Sequence, residues 1–249
     1  MKDIESLKTI AVLIDAENAQ YSKLGAILDE LSKHGHIIAK SAYGDWSDER
    51  LKNWPDVLDK LAIRSHHQFA RTTKRNAIDI AMVIDAMDMF HLENFDAFAL
   101  VSSDSDFTGL ASRLRRGGKY VFGFGEAKTP VSFRNACDDF LLTEYLGVPP
   151  PPAEASLSTN ENRTLEEADL IALLRAAANE YADPEGWTLA SHAGNVIKRQ
   201  RPDFHPRTFG CKTFLQVVGK FDRYFELRRA PRGEGTADQY RERPEPAPR

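Results

Sequence analysis

The sequence predicts an α/β domain with a mainly parallel sheet, followed by a linker and a small second domain. Three observations lead there. Over residues 1–147, short apolar runs alternate with helical patterns, as strand–helix–strand units do. The runs are continuously apolar, which suits strands covered on both faces. VPPPPAEASLSTNEN (148–162) then breaks the pattern; four consecutive prolines and a polar tract cannot build a core.

In chain order, the expected strands are TIAVLID (Thr9–Asp15), HIIAKSAYG (His36–Gly44), SHHQFA (Ser65–Ala70), AFALVSS (Ala97–Ser103) and KYVFGFG (Lys119–Gly125). Helical stretches Lys23–His34, Glu49–Ile63, Ala77–His91 and Gly109–Gly117 lie between them. In such sheets ligands bind beyond the carboxyl ends of the strands, where the strand order reverses. The linker spans 148–163. Thr164 and Glu167 then form a capping box before the stripe Leu170, Leu173, Leu174 and Ala177. The second domain covers 164–229, and the polar tail 230–249 reads as disordered. Within that domain, helix Ser191–Lys198, a two-proline turn, helix Lys212–Lys220 and strand YFELRR outline a winged helix.

No apolar run reaches the ~20 residues that span a bilayer, and MKDIESLKTI lacks a secretory apolar core. Cys137 and Cys211 sit in no metal-ligand spacing; they read as reduced thiols of a cytoplasmic protein. The net charge of −4 hides an asymmetry. Residues 1–148 hold 18 Lys+Arg against 22 Asp+Glu, whereas residues 186–229 hold 9 against 3. A basic segment attracts polyanions whatever the total charge.

Asp15 ends the first strand, and Asp104 and Asp106 follow the fourth. If both strands are central and parallel, these acids share one sheet edge. On helix Ala77–His91 the apolar stripe reads as Ile80, Val83, Ile84 and Met87. Asp79 then borders it in the first turn, able to face a groove, while Asp85 falls on the solvent side. Converging carboxylates repel one another, and a hard cation such as Mg²⁺ or Mn²⁺ relieves that repulsion. Taken singly, a strand-end Asp more often caps the next helix, as Asp104 could. Arg71, Lys74 and Arg75 lie in a basic run leading into Asp79, and Arg113, Arg115, Arg116 and Lys119 form another. Basic rims position phosphates. The first strand is followed by Ala16–Glu17–Asn18, so neither a glycine-rich dinucleotide turn nor a phosphatase DxD motif is present.

The segments IAVLIDAENAQ, AIDIAMVIDAM and FALVSSDSDFTGLASRLRRGGKYVFGFG resemble the LabA-like NYN domains of the PIN-like nuclease superfamily, over about residues 8–146. The resemblance implies a three-layer α/β/α fold and an acidic Mg²⁺/Mn²⁺ site for RNA phosphodiester cleavage. Its metal-site acids fall on Asp15, Asp79, Asp104 and Asp106, with Asn18, Ser103 and Asp85 in secondary positions. GWTLASHAGNVIKRQRPDFHPRTFGCKTFLQVV is similar to the OST-HTH (LOTUS) domain, whose members bind RNA or protein partners. There Lys198, Arg199, Arg201, Arg207 and Lys212 cluster around the turn and second helix, as a phosphate-binding set would. The expected function is a metal-dependent endoribonuclease with a C-terminal RNA-binding or recruitment domain; a non-catalytic RNA-binding adaptor is the alternative.

Overall fold

A computed structural model describes residues 9–67, 77–92, 94–147, 161–232 and 235–243. They fall into two compact units that divide at Val148/Pro149. Among the described residues no helix is long and apolar enough to cross a membrane.

The first unit is built on strands β1 (Thr9–Asp15), β2 (His36–Gly44), β3 (Arg64–His67), β4 (Ala97–Val101), β5 (Tyr120–Gly125) and β6 (Asp139–Leu142). They form one sheet in the order β3-β2-β1-β4-β5-β6, and every neighbouring pair is parallel. The helices are α1 (Leu24–Leu31), α2 (Trp54–Lys60), α3 (Ala77–Leu92), α4 (Thr108–Arg116) and α5 (Val131–Ala136). Alternation along β1 sorts them into two layers. Ile10, Val12 and Ile14 pack with Leu24, Ile27, Trp54 and Leu58 of α1 and α2. Ala11 and Leu13 pack with residues of α3, α4 and α5. Period-two alternation inside an unbroken apolar run thus fills both faces, giving the expected three-layer arrangement.

Close packing extends to the far strands. A Cβ on Gly123 of β5 would lie 2.3 Å from the Phe140 ring and 2.7 Å from Cys137 Sγ. Gly123→Ala is therefore expected to cost about 1–3 kcal/mol through overpacking, read as a lower midpoint in urea unfolding.

Two expectations for this unit change. The buried residues of α3 are Ile78, Met82 and Ala86, whereas Ile80 and Ile84 are each 56% exposed. The helix is thus turned from the orientation that its Ile/Val stripe suggested. Asp85 accordingly faces the sheet and not solvent. Strand β6 and helix α5 extend the sheet beyond the five strands expected.

The second unit contains α6 (Glu161–Glu180), β7 (Thr188–Leu189), α7 (Ala190–Gln200), α8 (Phe214–Lys220), β8 (Phe225–Arg232) and β9 (Gly235–Glu242). Helix α6 begins at Glu161, so Thr164 lies inside it and does not cap it; the linker expectation loses its last three residues to that helix. The three strands form an antiparallel sheet in the order β7-β9-β8. Residues 235–242, expected to be disordered, supply its middle strand. Their polar residues alternate around Tyr240, which is fully buried, donates its hydroxyl to Leu174 O at 3.0 Å and meets the Phe214 and Phe225 rings edge-on. Trp187, Phe204 and Phe209 are buried, so these rings serve packing. Thr213 caps α8 by accepting from Gln216 N, and the Gln216 side chain accepts from Lys212 N at 2.7 Å; two otherwise orphan donors are satisfied.

Candidate functional site

The sheet order reverses between β1 and β4: the chain winds outward to β2 and β3 on one side and to β5 and β6 on the other. Asp15 ends β1 and Ser102–Asp106 follows β4, so both flank the switch point at the carboxyl edge. Asp15 continues the Ala11–Leu13 side of β1, the side that α3 covers, and Asp79 lies in the first turn of α3.

The Asp15 carboxylate is buried and held by four donors. Oδ1 accepts from Glu17 N at 3.1 Å and Asn18 N at 3.3 Å. Oδ2 accepts from Asn18 Nδ2 at 2.9 Å and Ser102 Oγ at 2.7 Å. Burial nevertheless outweighs these bonds and raises its pKa above the usual carboxylate range. Asn18 therefore orients Asp15. The serine that does so is Ser102; the hydroxyl of Ser103 instead accepts from Glu126 N at 3.0 Å and fixes the loop after β5. Ser102 also accepts from Asp104 N at 3.0 Å, which ties the two acidic segments together. In sequence, Ser102 and Ser103 are adjacent and chemically equal; only strand alternation separates them.

Asp104 accepts from Asp106 N at 3.0 Å and caps the 3-10 turn Ser105–Phe107. The capping role weighed for it is real, and its second oxygen has no part in that bond. Asp106 is exposed. Burial, then Asp15, Asp104, Asp106 and Glu17 in that order, push the Asp79 carboxyl up to about 6. Burial is the largest cause, and the neighbouring carboxylates act in the same direction. Glu17 joins them, its own pKa raised by burial first and Asp15 second.

A raised folded-state pKa means that ionising Asp79 costs stability. The cost is absent below the ordinary carboxylate range, grows as pH rises and is complete above about 6. Asp79→Asn is therefore expected to stabilise the first unit near neutral pH, by about 1 kcal/mol once solvent screening is allowed for, and to change nothing near pH ~4. Thermal melts at both pH values test this.

The remaining candidates separate. Asp85 accepts from the Tyr43 hydroxyl and stands 3.7 Å from His66 Nε2. The His66 ring stacks on Tyr43 at 4.7 Å. Burial raises the Tyr43 pKa, with Asp85 adding to the effect, and burial lowers that of His66. Asp85 thus joins α3 to β2 and β3. Arg71, Lys74 and Arg75 lie outside the described residues. Arg113–Lys119 sits at the end of α4 and before β5, at the sheet edge opposite to the acids. There Arg115 bonds Asp138 at 3.0 Å, Arg113 lies over the Phe90 ring and Lys119 donates to Phe95 O at 2.7 Å. Arg113, Arg115 and Lys119 thus brace the fold. In the second unit, Arg199 and Lys212 are exposed, Arg201 pairs with Asp203 at 3.2 Å, Lys198 lies in the last turn of α7 and Arg207 in the turn Pro206–Phe209.

The donor set of the acidic site is all oxygen, which fits a hard divalent cation. Among the described residues, no three His, Cys, Asp or Glu side chains form a group that could hold an ion as they stand. A cation held by one or two of these carboxylates would keep several waters.

Comparison with known proteins gives two domain matches. The family model described as NYN domain matches residues 9–144, more than half of the chain. The model described as OST-HTH/LOTUS domain matches residues 165–236. A search of the curated proteins finds no match. Among solved structures, a protein of unknown function from Vibrio parahaemolyticus is similar at 19% identity and a TM-score of 0.44, covering 56% of this chain and 94% of its own.

Proposed function

Because this chain belongs to the NYN domain family and carries an OST-HTH/LOTUS domain behind it, we propose that it is a metal-dependent endoribonuclease whose second unit binds RNA. The observation that supports this best is the placement of the acids at the switch point: Asp15 ends β1, Asp104 and Asp106 follow β4, and Ser102 bonds both segments. Asp15, Asp79, Asp104 and Asp106 are the residues that would hold Mg²⁺ or Mn²⁺. A bound ion of this kind supplies a more acidic water and offsets charge on a phosphate.

The protein groups have separable roles. Ser102 and Asn18 hold the Asp15 carboxylate in place by donating to Oδ2, which partly offsets the cost of burying its charge. Asp79, in the first turn of α3, would serve as a metal ligand beside Asp15 and Asp104. In the hydrolysis, the water oxygen bonds to phosphorus, one bridging P–O bond breaks and the departing oxygen gains a proton. The second unit contributes phosphate contacts through Lys198, Arg199, Arg201, Arg207 and Lys212; Arg71, Lys74 and Arg75, outside the described residues, are proposed as further phosphate contacts on their sequence alone.

One observation favours a second reading, the RNA-binding adaptor: the absence of a preformed three-ligand group among the described residues. Titrating Mn²⁺ and Mg²⁺ into the purified protein with single-stranded and structured RNA, beside a chelated control, separates the two. The proposal expects cleavage that rises with metal. RNA bound but left whole at every metal concentration fits the adaptor. Deleting residues 161–249 should weaken RNA binding and flatten its salt dependence, because fewer phosphates are neutralised; equal binding at equal salt would reassign the second unit to protein contacts.

A further inference from the structure

A cavity of ≈ 290 Å³ opens at the carboxyl edge of β1, beside the acids but on the α1/α2 side. Leu51 and Trp54, 5% and 2% exposed, line its depth. The Tyr21 ring, 36% exposed, stands edge-on to Trp54 at 6.2 Å and 64°. Glu17, Gln20 and Arg50 supply its polar groups. A short piece of backbone links the cavity to the acidic site: Glu17, in the cavity lining, donates its N–H to Asp15 Oδ1 at 3.1 Å.

This lining selects a ligand class. Apolar and aromatic walls with polar groups among them suit a flat ring that carries donors and acceptors on its edge. An anion fits badly: Glu17 repels it, and Arg50 is already engaged by Asp48 through both carboxylate oxygens, at 2.6–3.1 Å. Gln20 presents a carbonyl acceptor and an amide donor, which can meet the edge of any base. The Tyr21 side chain is partly fixed by its edge contact with Trp54 and by Asn53 Nδ2, 3.5 Å from its hydroxyl, so little freedom is lost when a ring stacks on it.

We propose that this cavity is a nucleobase subsite, which takes the base of the nucleotide flanking the phosphodiester at the acids. The inference rests on the phosphodiester reading for its biological use but not for its binding. Stacking on Tyr21 gives affinity that tolerates every base, and Glu17 and Gln20 grade the bases by the donors they present. The bound base then sets which phosphate reaches Asp15 and Asp104.

The test uses the full-length chain labelled with ¹⁵N. Its three tryptophans give three indole N–H resonances, assigned by single Trp→Phe replacements. The probes are the four nucleoside 5′-monophosphates and ribose 5-phosphate, which has no base. Millimolar nucleotide is expected to shift the Trp54 resonance, and ribose 5-phosphate to leave it in place. Tyr21→Ala should weaken the nucleotide response about tenfold, as loss of one stacking partner does, and Gln20→Ala should weaken it less. Trp46, whose indole donates to His66 O at 3.0 Å, reports that each variant is folded. A Trp54 resonance that ignores all four nucleotides, that follows ribose 5-phosphate equally, or that responds unchanged in Tyr21→Ala overturns the subsite. Because no cleavage is involved, an inactive protein that still shows the Tyr21-dependent shift sinks the nuclease reading and leaves the subsite standing.

Discussion

RNA cleavage is expected to fall about 100- to 1,000-fold in Asp104→Asn, the scale on which removing one preorganised electrostatic group slows a reaction. The substitution suits the test because its structural cost is small. Asp104 caps the turn after β4 by accepting one bond from Asp106 N, and asparagine caps about as well. What goes is one negative charge from the field that raises Asp79. The Asp79 pKa should therefore drop, and apparent Mg²⁺ or Mn²⁺ affinity should weaken with it. RNA affinity measured on the same preparation should hold or improve, because a group that repels phosphate has been neutralised. Lost cleavage with retained affinity supports the nuclease. Equal cleavage by both proteins means that the activity belongs elsewhere.

The second large effect lies in the other unit. Tyr240→Ala should cost it about 3–5 kcal/mol, the range for emptying a large buried aromatic site. The ring is fully buried among Phe214 and Phe225, and its hydroxyl satisfies Leu174 O. Since small domains have only about 5–15 kcal/mol in total, a large share of the margin goes. Removing residues 235–249 should abolish the unit outright, as β7 and β8 then have no strand between them. Thermal unfolding followed by near-ultraviolet circular dichroism should show a lost or lowered transition for this unit, with the first unit's transition unmoved. RNA affinity should fall in parallel if the basic residues of 198–212 bind it. An unchanged second transition after either alteration would show that β9 is dispensable.

Much of the first unit was legible because its strands are unbroken apolar runs. Thr9–Asp15 and His36–Gly44 were read to the residue. Helix α3 was located but turned the wrong way: its apolar residues lie on all sides, so Ile80 and Ile84 outvoted the Ile78–Met82–Ala86 line that is buried. That error carried Asp85 to the wrong face. Strand β6 escaped because DFLL is short and follows a helix without a glycine or proline stop. Strand β9 escaped because its sequence is polar apart from Tyr240 and lies beside residues typical of disorder. The positions of Asp15, Asp104 and Asp106 at strand ends followed from the strand pattern; Asp79 was placed in the first turn of α3 from a stripe that is not the buried one. Ser102 and the Tyr21–Trp54 cavity did not follow from the pattern, since each depends on which way a side chain points at a loop.

The strand order of the second unit has a consequence for how the protein is made. The ribosome delivers β7, α7, α8 and β8 before β9, yet β9 stands between β7 and β8. Until it arrives, the nascent segment holds two strands that cannot pair and an unfilled place where Tyr240 belongs. The first unit faces no such wait, because its central strand β1 emerges first and each later strand adds to an existing edge. Unpaired edges and exposed apolar surface are what chaperones bind and what aggregates. Stalled or prematurely terminated products of this chain should thus contain a folded first unit trailing an adhesive second segment, and slowing translation through residues 225–242 should lengthen the time that the segment spends in that state.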